Sequence, residues 1–194
     1  YAATGTGPVT APQTNMRSVS MLWQNVEQFV VANQYAKTGT AADLVAMKGM
    51  TMGFGKQNSG TIGSNRVLLK GLGLDMAKDF KLMHGGYGPT ADALANGQVA
   101  GIGAPSGPPT GAITKLMASN AAKFTMLTVT PDEAKKMDGG RNLWVPYTIK
   151  AGTYPGQTKD LLTIAQPNFL AVNADVSEEH VYLLTKAIYE NLLF

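Results

Sequence analysis

The chain has 194 residues, 44% hydrophobic and 15% charged, with a formal net charge of +3. That is enough apolar material to fill one domain or two small lobes, and too much for a disordered tail. The sixteen Lys and Arg residues are scattered rather than clustered, which argues against a nucleic-acid partner. The absence of cysteine excludes disulfides, thiolate catalysis and Cys-ligated metal. It suits a bacterial periplasmic protein without requiring one.

No apolar stretch reaches bilayer-spanning length, so no membrane insertion is expected. No signal peptide is visible, and a start at Tyr1 without Met is expected either of a processed chain from which one was removed or of a trimmed one. "YAATGTGPVTAPQTN" is small, polar and turn-rich and predicts a loop. "RSVSMLWQNVEQFVVANQ" is strand material, strongest at Gln28–Ala32. Thr40 is placed to cap a short helix over Ala41–Met47 that Gly49 closes. Met50–Gly55 is a short buried strand. "KQNSGTIGSNRVLLKGL" then runs from a small polar loop into a helix ending at Leu69 or Lys70.

The pattern repeats in kind. Phe80–Met83 is a strand with Gly85 and Gly86 behind it, and Gly88–Gly97 is a helix with Pro89 in its first turn. "QVAGIGA", "PPTGAITKLMASN" and "KFTMLTV" follow as strand, helix and strand. Alternating strands and helices on short loops predict an α/β fold with a mostly parallel sheet. Thr130 and Pro131 open another helix. "DGGRNLWVPYTIKAGTYPGQTKD" is a long irregular segment whose Trp144, Tyr147 and Tyr154 either line a pocket or anchor the loop. Pro167 bends the strand "LLTIAQPNFLAVN" or confines it to an edge. A last helix starts at Ser177, with Val181, Leu184, Ile188 and Leu192 on one stripe, and ends on apolar residues without a stop signal.

Two loops are candidates for chemistry. Asn58, Ser59, Gly60 and Thr61 stand where a helix begins, and there two readings remain. Ser59 or Thr61 caps the helix, or the unpaired first-turn amides and the helix dipole hold a carboxylate or phosphate. The stretch has neither Walker A nor dinucleotide spacing. Ser59 is not a nucleophile of the G-x-S-x-G kind, because Gln57 stands two residues before it. "GIGAPSGPP" (101–109) also follows a strand and precedes a helix, so parallel strands would bring it to the same rim. The alternative is a rigid Pro/Gly turn. His84 and His180 lack evident partners, the carboxylates at Asp132–Glu133 and Glu178–Glu179 suit helix first turns, and the ten methionines suit core filling. No nucleophile–base pair, metal cluster or cofactor motif is present, so no enzyme and no cofactor are expected.

Three stretches resemble TAXI-type solute receptors of TRAP transporters. In the first, Asp43-Leu44, Lys48-Gly49, Gly53, Gly55 and Ser59-Gly60-Thr61 match a family pattern ending G-x-x-G-S-G-T. "ALANGQVAGIGAPSGPPTGAITKL" matches the second. Gly152, Tyr154, Gly156, Val181-Tyr182 and Thr185-Lys186-Ala187 carry the third. Together they cover most of Met21–Phe194. Asn58 stands for a family glycine, Ala100-Gly101 for Asp-Ala, and Lys150 for a proline.

The resemblance implies a type II periplasmic-binding-protein-like fold of two lobes with an incomplete first lobe, since the family carries further residues ahead of the point matching Tyr1. It divides the chain into residues 1–34 (remnant of lobe I and first hinge strand), 35–160 (lobe II) and 161–194 (second hinge and returning lobe I helix). It implies an extracytoplasmic, periplasmic receptor that closes on a small anionic solute. The solute would be a dicarboxylate or an acidic amino acid such as glutamate or 2-oxoglutarate, delivered to TRAP membrane subunits. Ser59, Gly60 and Thr61, with Asn58 beside them, would contact the ligand. Ser106 and Gly107 would form the facing loop, and Tyr154 would contribute from the third stretch. The alternative is the effector-binding domain of a transcription regulator, which uses similar lobes.

Overall fold

The structure is a computed structural model that describes residues 2–5 and 9–191. The predicted opening loop lies partly outside these residues, and Leu192 of the last helix stripe, with the apolar chain end, wholly so. The chain divides into two compact units, one of residues 24–166 and one of the two terminal segments, 1–23 and 167–194.

The larger unit is built on a five-stranded sheet in the order β4-β3-β5-β2-β6, formed by β2 (Phe29–Ala32), β3 (Thr51–Gly53), β4 (Lys81–Leu82), β5 (Gly101–Gly103) and β6 (Phe124–Leu127). β3 is parallel to β4 and β5, while β2 is antiparallel to both β5 and β6. Four strands therefore run one way and β2 runs against them. The α/β class expected from the alternation of elements is what the chain adopts.

Side-chain alternation along the strands sorts the core into two layers. Val30, Phe124 and Met126 face one side, with Leu94 of α4 (Tyr87–Ala95) and Ile113 and Leu116 of α5 (Gly111–Asn120). Phe29, Val31 and Leu127 face the other, with Leu44 of α1 (Asp43–Ala46), Leu68 and Leu69 of α2 (Gly60–Gly71), Met76 of α3 (Met76–Asp79) and Met137 of α6 (Pro131–Asp138). Helices thus cover both faces of the sheet, as its parallel β4-β3-β5 part requires; the expected mostly parallel sheet is parallel in only two of its four pairings, because β2 is inserted against its neighbours. α2 lies so close to α6 that a Cβ on Gly71 would stand 2.5 Å from the Met137 Cα. That contact fixes the axis of the helix carrying the first candidate loop.

α6 begins with a capping box. Thr130 Oγ1 accepts from the Glu133 amide, and Glu133 Oε2 accepts from the Thr130 amide. Glu133 Oε1 also accepts from Thr40 Oγ1 and the Ala42 amide, at 2.6 and 2.7 Å. Here the structure departs from the sequence expectation. Thr40 does not cap α1; the helix starts at Asp43 with Ala42 as its flanking residue, and the Thr40 hydroxyl donates to Glu133.

The long irregular segment hides a strand. β7 (Val145–Ile149) pairs antiparallel with the first half of β8 (Leu161–Asn173), at the edge of a three-stranded sheet ordered β1-β8-β7. β7 tolerates Pro146 because an edge strand has N–H groups that no ladder needs. β8 is not an edge strand. Its β7 ladder ends at Ala165, so the missing N–H of Pro167 is not asked for there.

The smaller unit holds most of β1 (Met16–Val26), the second half of β8 and α7 (Glu178–Glu190). Ser177 caps α7 by accepting from the His180 amide. Val181, Thr185 and Ile188 are half-buried, but Tyr182, Leu183, Leu184 and Tyr189 are exposed, as are Met21 and Phe169. Among the described residues no helix is long and apolar enough to cross a membrane.

Candidate anion-binding site

β3, β4 and β5 end at one rim of the larger sheet, each feeding a glycine-bearing loop. Between the first two loops lies a pocket of about 270 Å³, lined by Gly55, Lys56, Ser59 and Thr61 on one side and Gly85, Gly86 and Tyr87 on the other. The N-termini of α2 and α4 both begin here. Ser59 is the N-cap of α2, and its Oγ accepts from the Ile62 amide and donates to the Lys56 carbonyl. The capping reading of Ser59 is therefore realised. It does not use up the helix end, because the Gly60 and Thr61 amides lie beyond the reach of intrahelical carbonyls.

α4 starts after Gly86 with no side-chain cap. Its third residue, Pro89, has no N–H, so the Tyr87 and Gly88 amides are its open donors. A Cβ on Gly86 would lie 3.3 Å from Lys56 Cε, so the lysine stem passes over this glycine. Two helix dipoles and one ammonium thus bring positive potential to a single small pocket. Asn58 adopts φ 60°, in the left-handed region that glycine occupies freely and asparagine tolerates best among other residues. This accounts for asparagine standing where the resembled pattern has glycine.

Tyr87 ties the site together. Its hydroxyl lies 3.0 Å from Thr61 Oγ1 and donates to the Pro105 carbonyl, joining the α2 start to the loop after β5. Burial, with the nearby Glu27 carboxylate adding, holds this phenol above its ordinary value, against the Thr61 hydrogen bond. Behind the rim, Asn65 of α2 is fully buried and donates to the Phe54 and Gly103 carbonyls at 3.1 and 3.2 Å, so α2 pins the ends of β3 and β5.

The loop after β5 is held by a second network. Gln28 Nε2 donates to Ser106 and Thr110, while Tyr154 Oη donates to Gln28 Oε1 and accepts from the Thr110 amide at 2.9 Å. Tyr154 is 2% exposed. Burial raises its phenol, against the hydrogen bonds to Thr110 and Gln28.

The family model described as NMT1-like matches residues 1–194, the whole chain. The chain belongs to the NMT1-like family. Among solved structures, a protein from Bordetella bronchiseptica RB50 aligns with this NMT1-like chain at a TM-score of 0.53 and 13% identity, over 90% of this chain and 47% of that one. An ancestral arginine-binding protein bound to glutamine aligns at 0.49 and 12%, over 90% and 57%. A TctC solute binding protein from Polaromonas aligns at 0.48 and 14%, over 92% and 56%. The chain thus spans about half the length of these structures. The Bordetella structure shares its fold.

Of the residues singled out in the sequence, Ser59 and Thr61 line the pocket, with Gly60 between them at the α2 start and Asn58 in the preceding turn. Ser106 and Gly107 lie in the neighbouring loop, where the Ser106 hydroxyl is committed to Gln28 and Thr110. Tyr154 is buried beneath that loop, with its hydroxyl occupied by Gln28 and Thr110. Sequence reasoning passed over Lys56 and Tyr87, and placed Gly85 and Gly86 behind a strand without assigning them a role. The signal for Tyr87 was a second strand–glycine–helix junction, the arrangement that marked the first loop; Lys56 stood in that first loop itself.

Proposed function

We propose that this NMT1-like chain belongs to an extracytoplasmic, periplasmic solute receptor. It captures a small anion, a dicarboxylate or an acidic amino acid such as glutamate or 2-oxoglutarate, for the membrane subunits of a TRAP transporter. The observation that carries this reading is the convergence of the α2 and α4 N-termini with Lys56 on one pocket. Unpaired amides and a nearby ammonium bind carboxylates through charge-assisted hydrogen bonds.

The TAXI-like motif supports the same reading, because its Ser59-Gly60-Thr61 lies at this pocket. The division into residues 24–166 and the two terminal segments supports a two-lobed receptor. In the bounds the resemblance implies, residues 35–160 form lobe II, and 1–34 with 161–194 supply hinge strands and part of lobe I; the hinge stretches 24–34 and 161–166 then pack with the larger unit. Nothing in the pocket pairs a nucleophile with a base, since the Ser59 hydroxyl is spent on the helix cap and the Lys56 carbonyl. Binding without turnover suits a receptor that must release its solute unchanged.

Calorimetric titration of the full-length gene product with glutamate and with 2-oxoglutarate is expected to give saturable binding. Lys56→Glu is expected to weaken it by about tenfold or more, roughly 1.4 kcal/mol, by reversing a charge beside the bound carboxylate. Unchanged affinity in that variant would place the site elsewhere.

A further inference from the structure

Glu27 stands between β1 and β2, 1% exposed. One carboxyl oxygen, Oε1, accepts from Ser64 Oγ at 2.6 Å and Trp144 Nε1 at 2.9 Å. The other, Oε2, is buried without a hydrogen-bond partner among the described residues. The groups the structure brings to Glu27 are neutral: Ser64 of α2 and Trp144 of the segment before β7 on the carboxyl, Tyr87 of α4 within reach of its charge, Thr163 of β8 on its backbone carbonyl, and Gln166 of β8 on Ser64. The Trp144 indole is placed there deliberately. Asp138 at the end of α6 accepts from the amides of Asn142, Leu143 and Trp144, folding that turn so that the indole reaches Glu27.

This carboxyl and the anion pocket share two supports. Ser64 lies one helical turn along α2 from Gly60. Tyr87 lines the pocket, contacts Thr61 and feels the charge of Glu27. We propose that anion capture in this pocket is linked to proton uptake at Glu27, so the site holds its anion more tightly when Glu27 is neutral. The inference rests on the anion-site reading above.

The physics is a repulsion that little solvent screens. An ionised Glu27 with an orphan oxygen places negative charge in a low-dielectric interior behind the same loops that receive the anion. A bound anion therefore favours the neutral carboxyl. Desolvation by burial, opposed by the Ser64 and Trp144 hydrogen bonds, already pushes its pKa up to about 7, so both forms are populated at neutral pH. Binding shifts the balance further toward the neutral form, and affinity must fall as pH rises through that value.

The test is calorimetry of the full-length protein with inorganic sulfate and with 2-oxoglutarate, both of constant charge across the range, from about pH 6 to about pH 8.5. Affinity is expected to fall about three- to tenfold across the range in the wild-type protein and to stay flat in Glu27→Gln. At neutral pH the wild-type heat is expected to differ between buffers of different ionisation enthalpy, reporting proton uptake without any variant. His84→Gln, a control for the imidazole next to Gly85, is expected to keep the wild-type profile. Wild-type affinity that is flat with pH would overturn the linkage alone. So would a dependence that survives Glu27→Gln or vanishes in His84→Gln. No binding of either anion at any pH would overturn the anion site, and the linkage with it.

Discussion

Tyr154→Ala is expected to lower the unfolding free energy by about 3–5 kcal/mol, the range for truncating a large aromatic in a packed core. The side chain is among the largest fully buried ones and belongs to the layer formed with α4 and α5. Tyr154→Phe separates the ring from the hydroxyl. It keeps the packing but strands the Thr110 amide and Gln28 Oε1, both buried, at a cost of about 1–3 kcal/mol. Urea denaturation reads both as shifts of the midpoint at constant slope. A Phe variant as stable as the wild type would show that the hydroxyl network does not hold the loop after β5. The resemblance suggested a ligand contact at this position. The structure gives the side chain a supporting position beneath the rim, so its variants should affect stability more than affinity.

The second large effect is a pH-dependent one. Glu27 has its pKa raised from 4.5 to about 7 in the folded protein, chiefly by desolvation. A raised pKa means that the folded state holds its proton more tightly than the unfolded state. The stability this provides is fully present below the unfolded value, is lost as pH rises through about 7, and changes no further above that. At about 1.36 kcal/mol per unit, the loss comes to about 3 kcal/mol. Glu27→Gln keeps an acceptor for Ser64 and Trp144 and removes the titration. Its stability is expected to exceed that of the wild type at alkaline pH, with the advantage shrinking toward the acid end. Parallel stability-versus-pH curves for the two proteins would show that Glu27 does not titrate in this window.

The α/β class was legible because strand, glycine and helix recur with little between them, and β3, α2, β4, α4, β5, α5 and β6 all fall on predicted segments. Direction was less legible. Nothing in "QFVVA" distinguishes a strand that runs against its neighbours, because burial on both faces removes the alternation that carries such information. β7 was hidden for the opposite reason. An edge strand with a proline and exposed valine looks like loop.

At the site, Ser59 and Thr61 could be read because capping residues and anion-binding residues are the same types at the same place. Glu27 could not be read. A single glutamate in an apolar run shows neither its burial nor its orphan oxygen, both of which depend on Ser64 and Trp144, 37 and 117 positions away. Tyr87 was missed for a similar reason, since only the fold carries its hydroxyl to Thr61 and Pro105.

In the proposed receptor, the α2 and α4 N-termini with Lys56 grip an anion. Crystals of the protein grown with selenate, read by selenium anomalous scattering, test it most directly. A peak is expected within hydrogen-bond distance of the Gly60 or Thr61 amide and of the Tyr87 or Gly88 amide, competed away by 2-oxoglutarate. Selenate ordered elsewhere, with this pocket closed by protein side chains, would contradict the anion site.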